Sequence, residues 1–442
     1  MSESLEHHLV YIAFFFPPSR ASGVYRAIAT ANSFASKGWK VTVVTCDETF
    51  LAEEIGSVDK SLLTEVNNQV EIQRVPFSFR TSTEEKSIRE YKWFQANFHR
   101  LFLKLQKSLA SLRKPKSTEL VPLSKYDNWI GPVVKKVEEI HDQNSVSHVL
   151  ATGNPFASFH AANLINEAIG ISYSLDYRDP WTTNVFTGEK ASLPSEVFTL
   201  EQKVVEDASF TFQINEEIRQ KLVDQYPSVS ARHYIAPNGF DKDSVASKSS
   251  IDAPIVVGML GTLNDNWPLK EIFEAWSRVR LDLPEGSVLR LGGYLGYFAH
   301  SEGSLIRKLP DRSEGFEYVG PVSKGEVKEF YESLNIIVIP ATGGSMVTTG
   351  KVYEAAAQPH SIVCVQTREG GARKALKGRP HVYGAEPNTG EIERAFLDAI
   401  NSHVRVSEKD RDGIKEFARK YERYGAIEII YNVISSDLDK QS

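Results

Sequence analysis

Cysteine is nearly absent from this sequence: only Cys46 and Cys364 occur among 442 residues. Two cysteines cannot build a disulfide framework or a cysteine-rich zinc site. Each stands in or beside an apolar, β-rich run, VTVVTC and SIVCVQ, so each is expected to be a buried thiol packing as a small hydrophobe. An excess of positive charge is also lacking. The formal net charge of -6 and a pI near 6.1 argue against a surface built as a whole to hold nucleic acid, and no nucleic-acid partner is expected. Long hydrophobic runs are missing too. The apolar stretch after the acidic start MSESLEHHLV ends at Pro17-Pro18 after eight residues, too short for a membrane span and without the basic region of a signal peptide. A cytoplasmic chain is the expectation. The first strand-to-helix loop carries no G-x-G-x-x-G, which counts against a dinucleotide oxidoreductase. Short-period repeats and low-complexity tracts are absent as well.

What is present has an ordinary globular balance, 41% hydrophobic and 24% charged. The length exceeds one domain of about 100 to 200 residues and suggests two large ones. Leu9 to Phe16, LVYIAFFF, is a continuous apolar run closed by a Pro-Pro turn, the pattern of a strand buried on both faces. Gly23 to Gly38 follows with helical spacing and VTVVT with strand character, which makes a βαβ unit. The alternation recurs in HVLAT, a helix from Phe156 to Gly170, and ISYSLD. After the linker-like stretch Asp241 to Asp252, a second series runs through IVVGML, VLRLGG, FEYVG, IIVIP and SIVCV with helices between them. The fold class expected is α/β, with two Rossmann-like, doubly wound parallel sheets. An N-terminal domain over 1–238, a C-terminal domain over 239–407 and a helical tail over 408–442 packed back on the first domain are expected.

In open α/β sheets the ligand sits beyond the carboxyl ends of the strands, so the residues just after each strand are the informative ones. The loop PPSRASG, 17–23, feeds a helix at Gly23, where free N–H groups can hold an anion or sugar hydroxyls, or simply make a turn. DYRDPW, 176–181, crowds Asp176, Arg178 and Asp179 at a strand end. These line a cleft and bind hydroxyls, or Arg178 pairs with Asp179 at a structural turn. The third place is ATGGSMVTTGKVYEAAA, 341–357, where a glycine-containing loop meets a helix start. The N–H groups of Thr348, Thr349, Gly350 and Lys351, with the helix dipole behind them, suit a diphosphate, and Lys351 adds a positive charge. Glu354, one turn on, offers a carboxylate to vicinal ribose hydroxyls, or pairs with Lys351 at i,i+3 on a solvated face. Arg178, Asp179 and Lys351 are the catalytic candidates.

In sequence order these pieces resemble the retaining glycosyltransferases of family 4, which have the GT-B fold. GVYRAIATANSFASKGWKVTVVT is similar to the family's first helix and second strand, IAPNGFD to the joint between its domains, and VGPVSKGEVKEFYESLNIIVIP with TTGKVYEAAA to its donor-binding half. DYRDPW resembles the Asp-x-Arg-Asp-x-Trp segment of a bacterial amino-sugar transferase branch of polysaccharide synthesis. The resemblance implies a nucleotide-sugar donor over Thr348 to Lys351, with Glu354 on the ribose. It implies donor contacts from Gly261 and Lys270, and a sugar or lipid-linked acceptor on the side of Gly23 and Asn154. Three positions depart from the family pattern. Met346 stands where the first Glu of a pair belongs, and Thr262 follows Gly261 where Arg or Lys is usual. Gly153-Asn154 stands where a His often follows the strand. Helix N–H groups and Lys351 can stabilise a departing nucleoside diphosphate, so a metal-independent transfer without a cofactor is expected. A degenerate relative that binds without turnover is the alternative.

Residues 86–116 carry nine Lys or Arg residues against one acidic residue, Glu90. Phe94, Phe98, Leu101, Phe102, Leu105, Leu109 and Leu112 recur every three or four residues, flanked by Lys92, Arg100, Lys104 and Lys107. Such a helix suits an anionic membrane surface, or packs on the first domain with its charges in solvent.

Overall fold

The computed structural model describes residues 7–52, 58–78, 124–249, 253–263, 267–296, 305–307, 309–341, 343–403 and 406–441. The basic amphipathic segment 86–116 lies outside them.

The first domain is a seven-stranded sheet ordered β3-β2-β1-β4-β5-β6-β7. Its strands are β1 His8–Ile12, β2 Lys40–Cys46, β3 Val70–Val75, β4 His148–Gly153, β5 Tyr173–Tyr177, β6 Phe210–Gln213 and β7 His233–Ile235. Every neighbouring pair is parallel. β1 shows why both faces must be covered. Val10 and Ile12 enter one core with Trp129, Ile140 and Phe159, while Leu9 and Tyr11 enter the opposite core with Phe34, Ile427 and Ile430. A strand buried on both sides reads as an unbroken apolar run. The strand is nevertheless shorter than the run. The regular strand stops at Ile12, although Ala13 N still donates to Val44 O and Phe14 O accepts from Cys46 N, and Phe14 makes edge contacts with Phe50, Phe77, Tyr126 and Trp129. Cys46 and Cys364 are both buried free thiols.

The second domain is a six-stranded parallel sheet ordered β10-β9-β8-β11-β12-β13. It consists of β8 Val256–Leu260, β9 Val288–Gly292, β10 Phe316–Gly320, β11 Ile336–Pro340, β12 Ser361–Val365 and β13 Val382–Ala385. Val257 and Met259 pack against Ile272, Trp276 and Phe396, and Ile337 and Ile339 against Leu334, Val352 and Ala356 on the other face. The strand order reverses between β1 and β4 in the first sheet and between β8 and β11 in the second. Crevices for ligands open at such reversals.

The tail divides. Helix Glu408–Arg419 packs on helix Gly350–Ala357 of the second domain, and helix Arg423–Gln441 on helix Val24–Ser36 of the first. The chain therefore passes between the domains twice, and the two crossings are bonded together. Phe240 N donates to Tyr421 O and Arg423 N to Phe240 O, each at 2.9 Å. Gly239 has φ +68, and a Cβ there would lie 2.7 Å from Arg423 Cα, so only glycine fits this crossing.

Three buried histidines set the acid limit of this fold. Burial pushes His148 and His360 down to about 3 and His233 down to about 4, so all three fold as neutral rings. Unfolded, they bind a proton below about pH 6.5. Their contribution is fully present above that pH and is lost as the pH falls toward the folded values, at about 1.4 kcal/mol per unit for each ring. Urea midpoints are expected to fall steadily from pH 6.5 to pH 4.5. Midpoints that stay level over that range would contradict it.

Candidate functional site

At the first reversal, the ends of β1 and β4 carry the loops 13–23 and 154–156. Gly23 precedes helix Val24–Ser36 and is buried, and a Cβ built on it would lie 1.3 Å from the Arg178 guanidinium. The missing side chain is what lets Arg178 lie there. Arg178 Nε donates to Gly153 O at 2.9 Å and its Nη2 to the carbonyl of Asn154 at 2.6 Å. A guanidinium is thus fixed by two backbone carbonyls at the mouth of the reversal, beside the exposed Asn154. Gly23→Ala is expected to leave the melting temperature within about 2 °C, because the colliding group is the mobile end of a side chain. The same change displaces the Arg178 guanidinium from the Gly153 and Asn154 carbonyls, and a crystal structure of Gly23→Ala with Arg178 unmoved would contradict that.

Asp179 follows on the same loop, accessible to solvent and hydrogen-bonded to no described residue. The protein around it pushes its carboxyl up while Arg178 pulls it down. Asp176 does not share that exposed position. It is fully buried and accepts from Arg26 Nη2 at 2.6 Å and Nε at 2.9 Å, while Arg26 Nη1 donates to Ala236 O and Pro237 O. Its charge belongs to the core and to the joint between the domains. Nor does Arg178 pair with Asp179 as an ion pair, since its hydrogens go to carbonyls. Trp181 stacks on Phe156 at 5.2 Å.

Glu201 supports this loop from beneath, and nothing in the sequence reading singled it out. Buried at 1% exposure, it accepts hydrogen bonds from the hydroxyls of Tyr177, Thr182 and Tyr226. Burial raises its pKa against the lowering effect of those bonds. Its helix Ser195–Asp207 buries Val197, Glu201, Val204 and Val205 as one stripe, so a carboxylate on an apolar stripe was the available signal.

At the second reversal, β8 leads directly to Gly261 and β11 leads through 341–349 to helix Gly350–Ala357. Thr349 is the exposed residue before that helix, and the N–H groups of Thr349, Gly350 and Lys351 donate to no described residue. Glu354 is the best-defined group here. Its Oε1 accepts from Lys351 Nζ at 2.6 Å and from the Tyr331 hydroxyl at 2.8 Å, and its side chain is 15% exposed. The i,i+3 pair with Lys351 forms, but on a recessed surface rather than a solvated face. Lys351 Cγ lies 3.9 Å from where a Gly261 side chain would begin, so Gly261, Lys351 and Glu354 share one corner.

One expected donor residue, Lys270, is placed elsewhere. Lys270 has a side chain 80% exposed and pairs with Glu274 at 3.8 Å. Leu269, Ile272, Ala275, Trp276 and Val279 form the inward stripe of its helix, which turns Lys270 outward. Thr348 is 4% exposed, with its hydroxyl turned to Asn215 of the first domain. Met346 is buried too, in the core cluster of the first domain.

The two corners face each other. Tyr25, one turn into the first domain's leading helix, has its hydroxyl pushed up to about 12, by burial and then by the Glu354 carboxylate. Arg20 stacks over the Tyr294 ring at 4.1 Å, and Lys324 pairs with Glu65 and, at 3.5 Å, with Asp241. Among the described residues, no group of three or more His, Cys, Asp or Glu side chains is arranged to hold a metal ion. No described helix is long and apolar enough to cross a membrane.

Two facing parallel-sheet domains of this kind recur in solved structures that match the chain end to end. A sucrose-phosphate synthase from Thermosynechococcus elongatus superposes with a TM-score of 0.67 at 11% identity, over 99% of this chain and 100% of that one. The fold is GT-B. A glycosyltransferase from Rickettsia africae matches with a TM-score of 0.66 at 11% identity, covering 99% and 100% of the two chains. Alr3699/HepE of Anabaena, solved in complex with UDP, matches with a TM-score of 0.62 at 12% identity over 97% and 100%. At these identities the likeness is one of GT-B fold. No protein-family model matches the sequence, and no curated protein matches it.

Proposed function

We propose that the chain is a glycosyltransferase that takes a sugar from a nucleotide-sugar donor bound on the second domain and transfers it, with retention, to a sugar or lipid-linked acceptor held by the first. The observation that carries this reading is Glu354: a recessed carboxylate, oriented by Lys351 and Tyr331, one turn into a helix whose leading N–H groups are free for an anion. The ribose hydroxyls bond to Glu354, the diphosphate lies over Thr349 to Lys351 beside Gly261, and Lys351 balances the charge that develops as the diphosphate leaves. These groups supply the stabilisation without a metal. In a retaining transfer the acceptor oxygen attacks on the face the diphosphate leaves. The new glycosidic bond forms as the sugar–phosphate bond breaks, and the acceptor proton passes to the departing phosphate oxygen. Arg178 and Asp179, with Gly23 and Asn154, hold the acceptor hydroxyls. UDP, seen in the Anabaena neighbour, is the first donor nucleotide to try.

A second reading is favoured by Met346 and Thr262, which leave two polar positions of the resemblance empty: a GT-B protein that binds a nucleotide sugar or a partner without turnover. Release of nucleoside diphosphate from a panel of nucleotide sugars separates the two. Steady release, faster with simple glycoside acceptors, is expected, whereas saturable binding without release would favour the second.

A role in cell-surface polysaccharide or glycoconjugate synthesis, at the inner face of the membrane, accords with the basic stripe in 86–116. Full-length protein is expected to co-sediment with anionic vesicles at low salt and to be released as ionic strength rises, each basic residue contributing about 1 kcal/mol. Protein that stays in the supernatant at low salt would refute the membrane role.

A further inference from the structure

The loop entering the donor helix is held from both domains. Its own domain takes the first part: Gln366 Nε2 donates to Gly343 O at 3.4 Å, and Gly371 N donates to Gly344 O at 3.3 Å. The first domain takes the second part, through Asn215. This residue follows β6 and caps helix Glu216–Gln225, its Oδ1 accepting from Ile218 N at 2.9 Å. Its Nδ2 crosses to the second domain and donates to Met346 O at 2.9 Å and to Thr348 Oγ1 at 3.3 Å. The amide can be oriented in only one way, because Ile218 N can only donate and Met346 O can only accept.

Asn215 is 8% exposed, and its surroundings seat the same loop. Met346, at 7% exposure, belongs to the first domain's core cluster, with its Cε 3.8 Å from where a Gly188 side chain would begin. Glu217, two residues on, pairs with Lys374 at 3.5 Å. Thr349 and the free N–H groups of Gly350 and Lys351 come directly after the pinned Thr348.

We propose that Asn215 is a positioning residue for the donor diphosphate, acting from the acceptor-side domain through the loop Met346–Thr348. This rests on the donor site proposed above. It means that the helix start is shaped for phosphate only while the domains are in contact at this end of the cleft. Met346 then serves as the anchor that keeps the loop on the first domain, which accounts for an apolar residue at that position.

Asn215→Asp separates this role from the cap. A carboxylate caps a helix as well as an amide, but it cannot donate to Met346 O. Three quantities are compared in wild type, Asn215→Asp and Thr348→Val: the melting temperature, amide hydrogen exchange over 347–352 without ligand, and calorimetric affinities for UDP, GDP and ADP beside UMP, GMP and AMP. The expected result for Asn215→Asp is a melting temperature close to wild type and exchange over 347–352 at least tenfold faster. Its preference for the diphosphate over the monophosphate should fall at least tenfold. That preference reads the β-phosphate alone, and a purely structural contact would not move it. Thr348→Val should move in the same direction by less, and it decides the matter if the Asp variant does not fold. An Asp variant with wild-type exchange and wild-type preference overturns the role of Asn215 and leaves the donor site standing. A wild type that binds none of the nucleotides overturns the donor site, and the positioning role with it.

Discussion

Glu354→Ala is expected to weaken binding of the donor nucleotide by about 100-fold, the largest functional effect of any single change in this chain. The removed carboxylate would accept two ribose hydrogen bonds, and bonds to a charged acceptor are worth about 1.5 to 3 kcal/mol each, so a loss of about 3 kcal/mol is the lower figure. Stability should suffer much less. Alanine favours the helix, while the Tyr331 hydroxyl loses its 2.8 Å partner in a residue only 2% exposed. Tyr331→Phe is the control for that loss. It removes the hydroxyl, keeps the carboxylate with its Lys351 partner, and should bind donor within a few-fold of wild type. Calorimetry with the nucleotide the wild type prefers reads both variants. A Glu354→Ala protein with unchanged affinity would remove this corner from the donor site.

The largest effect on stability is expected in the core of the first domain, at its joint with the second. Arg26 and Asp176 are 1% and 0% exposed, and the guanidinium spends its remaining hydrogens on Ala236 O and Pro237 O. Burial opposes the charge on Arg26, yet the Asp176 carboxylate outweighs it and raises the pKa. Removing one partner of such a pair strands a charge in the core, at a cost of about 3 to 5 kcal/mol. Arg26→Met leaves Asp176 stranded and also two carbonyls at the joint without donors. Asp176→Asn keeps the shape but not the charge. Both should lower the unfolding free energy read from urea titration by that amount, the double variant by less than the sum, because the second change removes a charge the first had stranded. Additive losses would mean that the two residues do not act as a pair.

These two sites differ in how legible they were in the sequence. SIVCV and IIVIP coincide with β12 and β11 because a strand covered on both faces must be apolar throughout. The contact between Lys351 and Glu354 was legible because i,i+3 residues share one face of a helix. Asp176 was not, since its partner is 150 residues away and DYRDPW shows only a local crowd of charge. The clue was Arg26 itself, the one charged residue among the buried residues of helix Val24–Ser36. Lys270 was misplaced because proximity to a helix start says nothing about which way the helix turns its residues. The inward stripe Leu269, Ile272, Ala275, Trp276 and Val279 decides that. Asn215 was illegible in principle: an Asn before Glu216-Glu217 reads as an ordinary cap, and its second role exists only once the domains meet.

The most direct test of the central claim is a crystal structure of the protein with the nucleoside diphosphate it binds best. The account places the β-phosphate oxygens about 3 Å from the N–H groups of Gly350 and Lys351, with both ribose hydroxyls on Glu354. A nucleotide lodged on the first domain, or one in the cleft with Glu354 still bonded only to Lys351 and Tyr331, would contradict it.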